Sequence, residues 1–407
     1  MLGAVLLAAD APPASWDGHS LAITLADARA RALGAGPDVV LADLRAQLAR
    51  TEVEVAGTLA NPTLGLQTAR LSARLTASLG VPLPLFGQRQ TAVAAAGAGA
   101  EAARLDVDAS RLDARWSATH AWLDLWEAQE KSALLEAAAA DTARLADIAQ
   151  ERFAAGTGPR VDVIRTGADR ARARAEATAA AGIVPGFAVH LAVLLGADTP
   201  GSLRATGPID LGPLPSESEA MARLYAQHPA LRRDRAQADA AAARVRAEQR
   251  ARWPVVTADL AVAAGDPTLP GTDVLAGLSF EAPVLNQRGG PIAHARAEER
   301  LATWTTETEL RRLAADLTAG YRQSESAAAR ARTLTDEVIQ ALEEARRMTE
   351  EGYRDGRVDL LRVLEAQSAV RDAKIASIEA RAAWQRARAD VERAVGALPP
   401  GGTSSGP

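Results

Sequence analysis

Apolar residues recur at two different spacings along this chain, and each change of spacing marks a new element. Positions three or four residues apart predict helices over residues 25–59, 86–182, 216–252 and 292–398. The first is interrupted at residues 34–37 and the second at 156–159, where glycine and proline cluster. Residues 86–155 and 292–398 contain no proline, so each stretch predicts a helix longer than a compact domain needs.

Two shorter segments, residues 63–83 and 255–282, alternate apolar and polar positions and predict two pairs of antiparallel strands. Leu75 and Leu79 belong to the apolar face of the first pair, and Leu260, Leu278 and Phe280 to that of the second. Proline follows both pairs. Alternation alone is more often a half-buried strand of a soluble protein than a lipid-facing one, so the pattern leaves both interpretations open.

The order of predicted elements occurs twice, which indicates a duplication. Pro37 and Pro62 are 25 residues apart, as are Pro229 and Pro254. After the strands, the sequence PLFGQR at residues 84–89 corresponds to PVLNQR at residues 283–288. A repeated order of elements is harder to produce by chance than any single motif.

The duplication sets the predicted domain boundaries. The first repeat is residues 21–197, with strands at 63–83 and a helical hairpin at 86–182; the second is residues 216–398, with strands at 255–282 and a hairpin at 291–396. Residues 198–215 predict an irregular connector, because glycine and proline are frequent there. Residues 1–20 predict a secretory-signal remnant with an N-terminal segment, and residues 399–407 a disordered tail.

The signal interpretation depends on the apolar run that ends at Ala9-Asp10-Ala11, which has the form of a cleavage site. The basic region of a signal is missing. Either the true start lies upstream, or the match arises by chance.

The closed ends of the two helical hairpins are near-copies, ERFAAGTGPRVDVIR at residues 151–165 and EGYRDGRVDLLRVLEAQ at residues 351–367. Their predicted tip turns contain the glycines Gly156, Gly158, Gly352 and Gly356. Asp359 is placed to cap the returning helix. The identical Arg-Val-Asp triplets align only with a three-residue gap, whereas pairing Gly156 with Gly356 needs none and keeps the apolar faces in register, so we prefer the second alignment.

Composition narrows the class of protein. Net charge is −5, which provides no basic surface for a nucleic acid, and the chain has no cysteine for a disulfide or thiolate site. Aromatic residues are only 3%, which favours long helices packed through alanine faces. No uninterrupted run of 18 apolar residues occurs, so an ordinary transmembrane helix is not expected. This does not exclude a membrane β-barrel, since its strands need only ~9–11 residues.

Nothing in the sequence supports catalysis. Five scattered histidines lack the spacing of a metal site, and Gly97 and Gly99 lie inside a predicted helix instead of in a phosphate-binding loop. We therefore expect no enzyme activity, no cofactor and no bound metal.

The repeated order of helix, strand pair and long hairpin resembles the TolC-like outer-membrane efflux channels over residues 25–398. The most specific pieces are PLPLFGQR at 82–89, NQRGG at 286–290, and Gly356 with the apolar stripe that follows it; the first two resemble the heavy-metal branch and also occur in drug exporters. The resemblance implies a mainly α fold with membrane β structure. Duplicated helical hairpins would form an α-barrel tunnel, and three protomers would each give four strands to one twelve-stranded transmembrane β-barrel.

The same resemblance implies a function, a location and partners. The protein would be the outer-membrane exit duct of a tripartite efflux system, with its tunnel in the periplasm. Its partners would be two further copies of itself, outer-membrane lipid, a periplasmic adaptor of the membrane-fusion class and an inner-membrane pump of the RND type. The sequence does not decide between drugs and heavy metals as the exported substrate, because a passive duct takes its specificity from the pump.

In that family the hairpin tips form a periplasmic gate, and the resemblance implies the same role for the polar residues Asp162, Tyr353, Arg357, Asp359, Arg362 and Glu365. Asp162 and Tyr353 match positions that link helices, and Glu365 matches an acid that faces the lumen. Arg362 departs from the family, which can have a second acid there, so a doubled acidic ring is not implied. Helix capping by Asp359 is an equally good explanation of that residue.

Two classes of function remain. One is the efflux duct; the other is a soluble periplasmic coiled-coil scaffold in which the strands are connectors. The strand pairs favour the duct, since a scaffold has no need of two amphipathic hairpins that are each followed by proline.

Overall fold

The computed structural model describes residues 21–69, 74–197, 203–209, 214–265, 271–281 and 283–396. These residues form two compact units, and each takes segments from both sequence repeats. The helical unit contains residues 21–40, 111–224 and 314–396, and the sheet unit contains residues 41–110 and 225–313. The two compact units therefore do not coincide with the two sequence repeats.

The described part of the first repeat contains, in order, β1 (Leu21–Ile23), α1 (Leu25–Ala35), α2 (Pro37–Gly57), β2 (Thr63–Ala69), β3 (Arg74–Leu83), α3 (Gln88–Ala154) and α4 (Arg160–Leu194). The chain continues with β4 (Leu203–Ala205), α5 (Glu217–Gln227), α6 (Pro229–Ala251), β5 (Val256–Ala264), β6 (Thr272–Phe280), α7 (Gly289–Thr333), a π-helical turn (Leu334–Val338), α8 (Ile339–Arg354) and α9 (Leu360–Val395). The two long helical hairpins and the two strand pairs predicted from the sequence are confirmed.

The helix pair that opens each repeat has the same construction. α2 and α6 both begin with proline, at Pro37 and Pro229, a residue that suits the first helical position because it needs no hydrogen-bond acceptor there. The sequence predicts one helix over residues 216–252, and this is wrong. His228 separates α5 from α6 and caps the second helix, its Nδ1 accepting the Ala230 N–H at 3.2 Å.

The sheet unit contains a four-stranded antiparallel sheet in the order β2-β3-β5-β6. Leu79 pairs with both Leu64 and Leu260, and Ala258 pairs with both Val81 and Leu278. Side chains of directly paired residues lie on the same face of a sheet. The apolar positions of all four strands therefore form one continuous face, while residues such as Thr76, Ser78, Asp259 and Ser279 belong to the other.

An arginine after each strand pair ties the following helix to the helix before the strands. Arg89 Nε donates to the Gly57 carbonyl at the end of α2 over 2.7 Å, and Arg288 Nη2 donates to Glu248 Oε2 on α6 over 2.6 Å. The arginines of the GQR and NQR sequences thus play the same structural role in the two repeats.

The core of the helical unit contains a similar equivalence. Trp122 Nε1 donates to the Ile23 carbonyl just before α1 at 2.9 Å, and the Tyr321 hydroxyl donates to the Pro215 carbonyl just before α5 at 2.6 Å. Trp122 is buried among alanine and leucine side chains of α1, α3, α4 and α9. Small side chains let these helices approach closely, as the alanine-rich composition predicts.

The segment predicted as an irregular connector contains a strand, so that prediction is wrong for residues 203–205. β4 pairs in parallel with β1, from Leu21 with Leu203 to Ile23 with Ala205. Neither strand exceeds three residues. A period of two cannot be recognised in so short a segment, and the pairing joins parts of the chain that are distant in sequence.

The predicted end of α4 near Gly182 is also wrong, because the helix continues through Pro185 to Leu194. Proline inside a helix costs about 3 kcal/mol. Ala188, Leu191 and Ala192 follow it and are buried in the core. Burying one leucine side chain stabilises by about 1.5–3 kcal/mol, so packing of the last turns is sufficient to offset the proline.

Among the described residues, α4 is the one helix long and apolar enough to cross a membrane by length and composition, and an 18-residue window of it has a mean hydropathy of 1.8. The sequence expectation did not foresee this stretch. It counted uninterrupted apolar runs, and here Gly182, Pro185 and His190 interrupt alanine, valine and leucine without lowering the mean much. Only 17% of that window is buried, although the C-terminal end of α4 packs into the core of the helical unit.

Some predictions lie outside the described residues. These are the signal remnant within residues 1–20, the turn of the first strand pair at residues 70–72, most of the loop at residues 265–272, parts of the connector and the tail at residues 399–407.

Candidate functional site

The two hairpin tips have the same backbone hydrogen bonds. In the first, the N–H groups of Thr157 and Gly158 both donate to the Arg152 carbonyl, at 2.9 and 3.0 Å, and Gly156 donates to Phe153. In the second, the N–H groups of Arg357 and Val358 donate to the Gly352 carbonyl, and Gly356 donates to Tyr353; each of these residues lies 200 positions after its counterpart. This is the Schellman arrangement that ends a helix.

A glycine completes each of these turns. Gly156 has φ = 71° and Gly356 has φ = 73°, a left-handed conformation that costs glycine little and other residues more. The shared geometry supports the gap-free alignment. It makes Asp162 correspond to Arg362, and Arg165 to Glu365.

The helices that leave the two tips begin differently. Asp359 precedes α9, and its Oδ1 accepts the Arg362 N–H at 3.1 Å, so Asp359 is an N-cap. Pro159 precedes α4 at the corresponding position and offers no side-chain cap. The identical Arg-Val-Asp triplets are therefore not equivalent, because Asp162 lies inside the first turn of α4 while Asp359 lies outside α9.

Tyr353 is the centre of the tip. Its side chain is 2% exposed and packs with Leu145, Leu360 and Val363, and its hydroxyl donates to Asp162 Oδ2 at 3.4 Å. The Arg152 guanidinium lies 4.5 Å from the centre of the Tyr353 ring, and its Nη1 donates to the Tyr353 carbonyl at 2.9 Å. We call Arg152, Asp162 and Tyr353 the tip link, because they join the first helical hairpin to the second.

The electrostatics of the tip link keep the phenol neutral. Burial raises the pKa of the Tyr353 hydroxyl above its usual value, and the Asp162 carboxylate raises it further, while Arg152 opposes this. The hydroxyl therefore stays protonated at physiological pH and remains a donor. At 3.4 Å this bond is longer than the ~2.5–3.0 Å of a strong O–H···O bond, so the link is a weak one.

The structure brings together only two of the six polar residues predicted for the gate, Asp162 and Tyr353. Arg357 pairs with Asp355 in its own turn, and Asp359 caps α9. Arg362 and Glu365 are exposed, and neither side chain has an ion pair in the described part of the chain.

Sequence reasoning missed two features of the tip. One is Arg152, which lies where the second repeat has Gly352; an unmatched arginine in the gap-free alignment was the available signal. The other is a chain of polar contacts one turn deeper. Gln367 Nε2 donates to Glu350 Oε1 at 3.2 Å, and Arg346 reaches both Glu350, at 3.2 Å, and Asp141, at 3.7 Å.

A cavity of about 330 Å³ lies beside the tip, lined by α3, α4, α8 and α9. Opposite charges are mixed around it. Its charged lining residues are Asp141, Asp169, Glu176, Glu365, Arg165, Arg172, Arg346, Arg371 and Lys374. A lining of mixed sign does not favour a small ion of one charge over the other.

The apolar face of the sheet is exposed in the single chain. Leu278 is 72% exposed, and Leu75, Leu260 and Phe280 are exposed as well, whereas Leu79 is partly covered. All five predicted lipid-facing residues pair along this one face. β2 and β6 each pair on one side only among the described residues, so the sheet has two open edges.

An aromatic pair lies where the helices of the sheet unit meet its strands. Trp253 and Phe86 stack with ring centres 5.5 Å apart, and Gln88 Nε2 donates to the Trp253 and Pro254 carbonyls at 3.2 and 3.1 Å. Partly exposed aromatic rings next to an apolar band are typical of a membrane–water interface.

Among the residues that the structure describes, no group of three histidine, aspartate or glutamate side chains could hold a metal ion. His120 has a structural partner instead. Its Nε2 lies 2.9 Å from Asp390 Oδ1, which also accepts the Trp116 Nε1–H at 2.7 Å.

Comparison with known proteins gives a consistent result. The profile of the family described as outer membrane efflux protein matches residues 28–197 and 221–397. The cobalt-zinc-cadmium resistance protein CzcC of Cupriavidus metallidurans is 25% identical over 372 residues, which cover 90% of this chain and 89% of that protein.

Two solved structures share the fold. The outer membrane protein VceC of Vibrio cholerae aligns with a TM-score of 0.75 and 19% identity, over 91% of this chain and 96% of that one. The CmeC outer membrane channel of Campylobacter jejuni aligns with a TM-score of 0.78 and 15% identity, over 91% of this chain and 85% of that one.

Proposed function

Because the chain belongs to the outer membrane efflux protein family, and so is an outer-membrane exit duct of a tripartite efflux system with a periplasmic tunnel, we propose that it works as a homotrimer gated at the hairpin tips. Members of this family are channels, not enzymes. The proposal concerns how the duct closes in the membrane, how it is held shut and which partners open it.

The observation that carries the trimer is the four-stranded sheet with an exposed apolar face and two open edges. Unpaired backbone groups are not tolerated in lipid, so edges must be closed by further strands. A barrel needs about eight strands or more. Three sheets of four strands give twelve, with β2 of one protomer beside β6 of the next.

A stripe on α2 supports the same assembly. Leu41, Leu44 and Leu48 recur at helical spacing and are exposed in the single chain. α2 leads into edge strand β2. A neighbouring protomer that pairs with β2 is therefore well placed to cover this stripe.

Substitutions on the two faces of β6 test the barrel. Leu278→Arg places a charge on the apolar face and should hinder membrane insertion by about 2–4 kcal/mol if the residue lies near the middle of the bilayer. Ser279→Arg, the adjacent position on the other face, should be tolerated in a wet lumen. Folding yield in outer-membrane vesicles and the mass of the protein in detergent measure both effects.

A monomeric mass with retained strand signal would contradict closure by three copies, and equal effects of the two arginines would mean that the faces are misassigned. The alternative class, a soluble periplasmic scaffold, predicts that neither substitution affects insertion and that the protein does not fractionate with outer membranes.

For the gate, we propose that the tip link holds the resting duct shut. It joins α3 and α4 of the first hairpin to α8 of the second through Arg152, Asp162 and Tyr353. A bond as long as this one contributes about 0.5 kcal/mol, the low end for a hydrogen bond, so three copies give a bias of roughly 1.5 kcal/mol toward the closed state. Arg357, Asp359, Arg362 and Glu365 then act as exposed tip surface.

The partners follow from this mechanism. A periplasmic adaptor of the membrane-fusion class that binds the dilated tips better than the closed ones would open the duct by population shift. The mixed charges of the cavity beside the tip provide polar groups for such a contact. An inner-membrane pump of the RND type would supply the driving force, and the barrel would contact outer-membrane lipid.

For the cargo, we propose divalent transition-metal cations. The support is the similarity to CzcC, a protein named for resistance to cobalt, zinc and cadmium. Deleting the gene should lower tolerance to such cations, and restoring it should recover tolerance. Loss of drug tolerance with unchanged metal tolerance would assign the duct to a drug pump instead.

A further inference from the structure

The first arm of the second helical hairpin is one residue longer than the first arm of the first hairpin. Ala118, Trp122 and Leu125 on α3 are buried, and so are Leu317, Tyr321 and Ser324 on α7, each 199 residues later. Trp122 and Tyr321 also make the equivalent bonds to Ile23 and Pro215. At the tips, however, equivalent residues are 200 apart, as Gly156 and Gly356 show. The second hairpin therefore has one additional residue between Ser324 and Gly352.

The π-helical turn Leu334–Val338 lies inside this interval. The Ile339 N–H donates to the Leu334 carbonyl, five residues back instead of four, so this turn encloses one residue more than an α-helical turn. It is the only π-helical segment in the described ranges. The matching stretch of α3 is α-helical throughout.

An extra residue has a large effect on a helix that cannot absorb it. At 3.6 residues per turn, every side chain beyond the insertion rotates by about 100°. Such a rotation of α8 would remove Tyr353 from Leu145, Val363 and Asp162, and Arg346 from Asp141. Both sets of contacts are present, so the phase of α8 is preserved.

We propose that the π-helical turn is a register device, which takes up the additional residue of the second hairpin and thereby aims α8 at the tip link. One side-chain contact fixes its place. Thr335 Oγ1 lies 3.1 Å from the buried Ser377 Oγ on α9, so the wide turn is held against the partner helix. The consequence for gating rests on the proposed function, but the phase of α8 does not.

Two single-residue deletions test the proposal. Asp336 is an exposed residue of the π-helical turn, and Glu136 is an exposed residue of α3 at the matching level. Deleting Asp336 should convert the π-helical turn into an α-helical one and leave the phase of α8 unchanged. Deleting Glu136 removes a residue from a helix with no wide turn, so Asp141 should rotate away from Arg346. Asp336→Ala keeps the residue count and must behave like the parent.

Cross-linking reports the phase directly. The chain has no cysteine, so Asp141→Cys with Arg346→Cys gives one pair, placed where an ion pair of 3.7 Å joins α3 to α8. A short bifunctional maleimide should cross-link the two cysteines in the double-cysteine protein without a deletion and in the same protein lacking Asp336. The cross-link should be lost in the double-cysteine protein lacking Glu136. The mass of each variant in detergent checks assembly.

Loss of the cross-link after deletion of Asp336, or failure of that variant to fold, would overturn the proposal. Retention after deletion of Glu136 would overturn it too, because residue count would then not set the phase. If the cross-links behave as expected while Asp162→Ala with Tyr353→Phe leaves conductance unchanged, the gate fails and the register device stands.

Discussion

The two hairpin tips have the same backbone and different side chains. Equivalent glycines at Gly156 and Gly356 and equivalent hydrogen bonds end α3 and α8 in the same way. Around that frame nearly every polar position has changed, including Pro159 against Asp359 and Asp162 against Arg362. The backbone chemistry of the turn was kept through the duplication, while the side chains diverged.

The divergence makes the two tips complementary. The first tip supplies Arg152 and Asp162, and the second supplies Tyr353 with Gly352 beside it. Gly352 also has a packing role, since a Cβ there would lie 2.6 Å from Val358 Cγ2. Neither tip could form the link with a copy of itself.

The largest expected difference between the tips is at the equivalent aromatics. Tyr353 is 2% exposed and Phe153 is 41% exposed. Tyr353→Ala should cost about 3–5 kcal/mol of local stability, because a large buried side chain is removed. Phe153→Ala should cost less than about 1 kcal/mol. Hydrogen exchange of the α8 amides measures the first effect and that of the α3 amides the second, and equal costs would contradict the asymmetry.

The caps should differ by a smaller amount. Asp359→Ala removes the side-chain bond to the Arg362 N–H and should cost about 1 kcal/mol. Pro159→Ala removes no such bond, so its effect should lie within about 0.5 kcal/mol. Thermal unfolding compares the two. A matching loss at Pro159 would show that the cap is not what distinguishes α9 from α4.

The smallest expected difference between the tips is in how their stability depends on pH. The pKa of Tyr353 is raised in the folded state, by burial first and by Asp162 second, while the unfolded value is about 10. The folded state therefore holds this proton more tightly, so the stability it contributes is complete below about pH 10 and is lost as pH rises through the folded pKa. Tyr353→Phe should unfold less steeply above pH 10 than the parent. Identical alkaline unfolding curves for the two proteins would show that this hydroxyl is not buried beside the Asp162 carboxylate.

Periodicity predicted most of the fold because the long elements repeat their pattern many times. The 67 residues of α3 and the strands around Leu79 and Leu260 leave little ambiguity of period. The duplicated order then identified equivalent elements. Short elements had no such signal: β1 and β4 have three residues each, and their pairing depends on contacts distant in sequence.

The site was less predictable than the fold, since it depends on which side chains meet in space. Asp162 and Tyr353 were foreseen through the family resemblance, and their contact is observed. The role of Arg152 needed the geometry of the turn, because its guanidinium reaches across to the other hairpin. α4 continues through Pro185 because burial of its last turns in the core outweighs the low helix propensity of proline. A local sequence pattern does not show that burial.

The most direct test of the gate is the single-channel conductance of the trimer in planar bilayers after Asp162→Ala with Tyr353→Phe. This pair removes the side-chain contact of the tip link and keeps the buried ring, so conductance should rise while the trimer stays intact. Asp359→Ala is the matched control, because it weakens a helix cap at the same tip without touching the link. Unchanged conductance in the double variant, with thermal stability lowered as in the control, would contradict the gate and leave the tips as a docking surface.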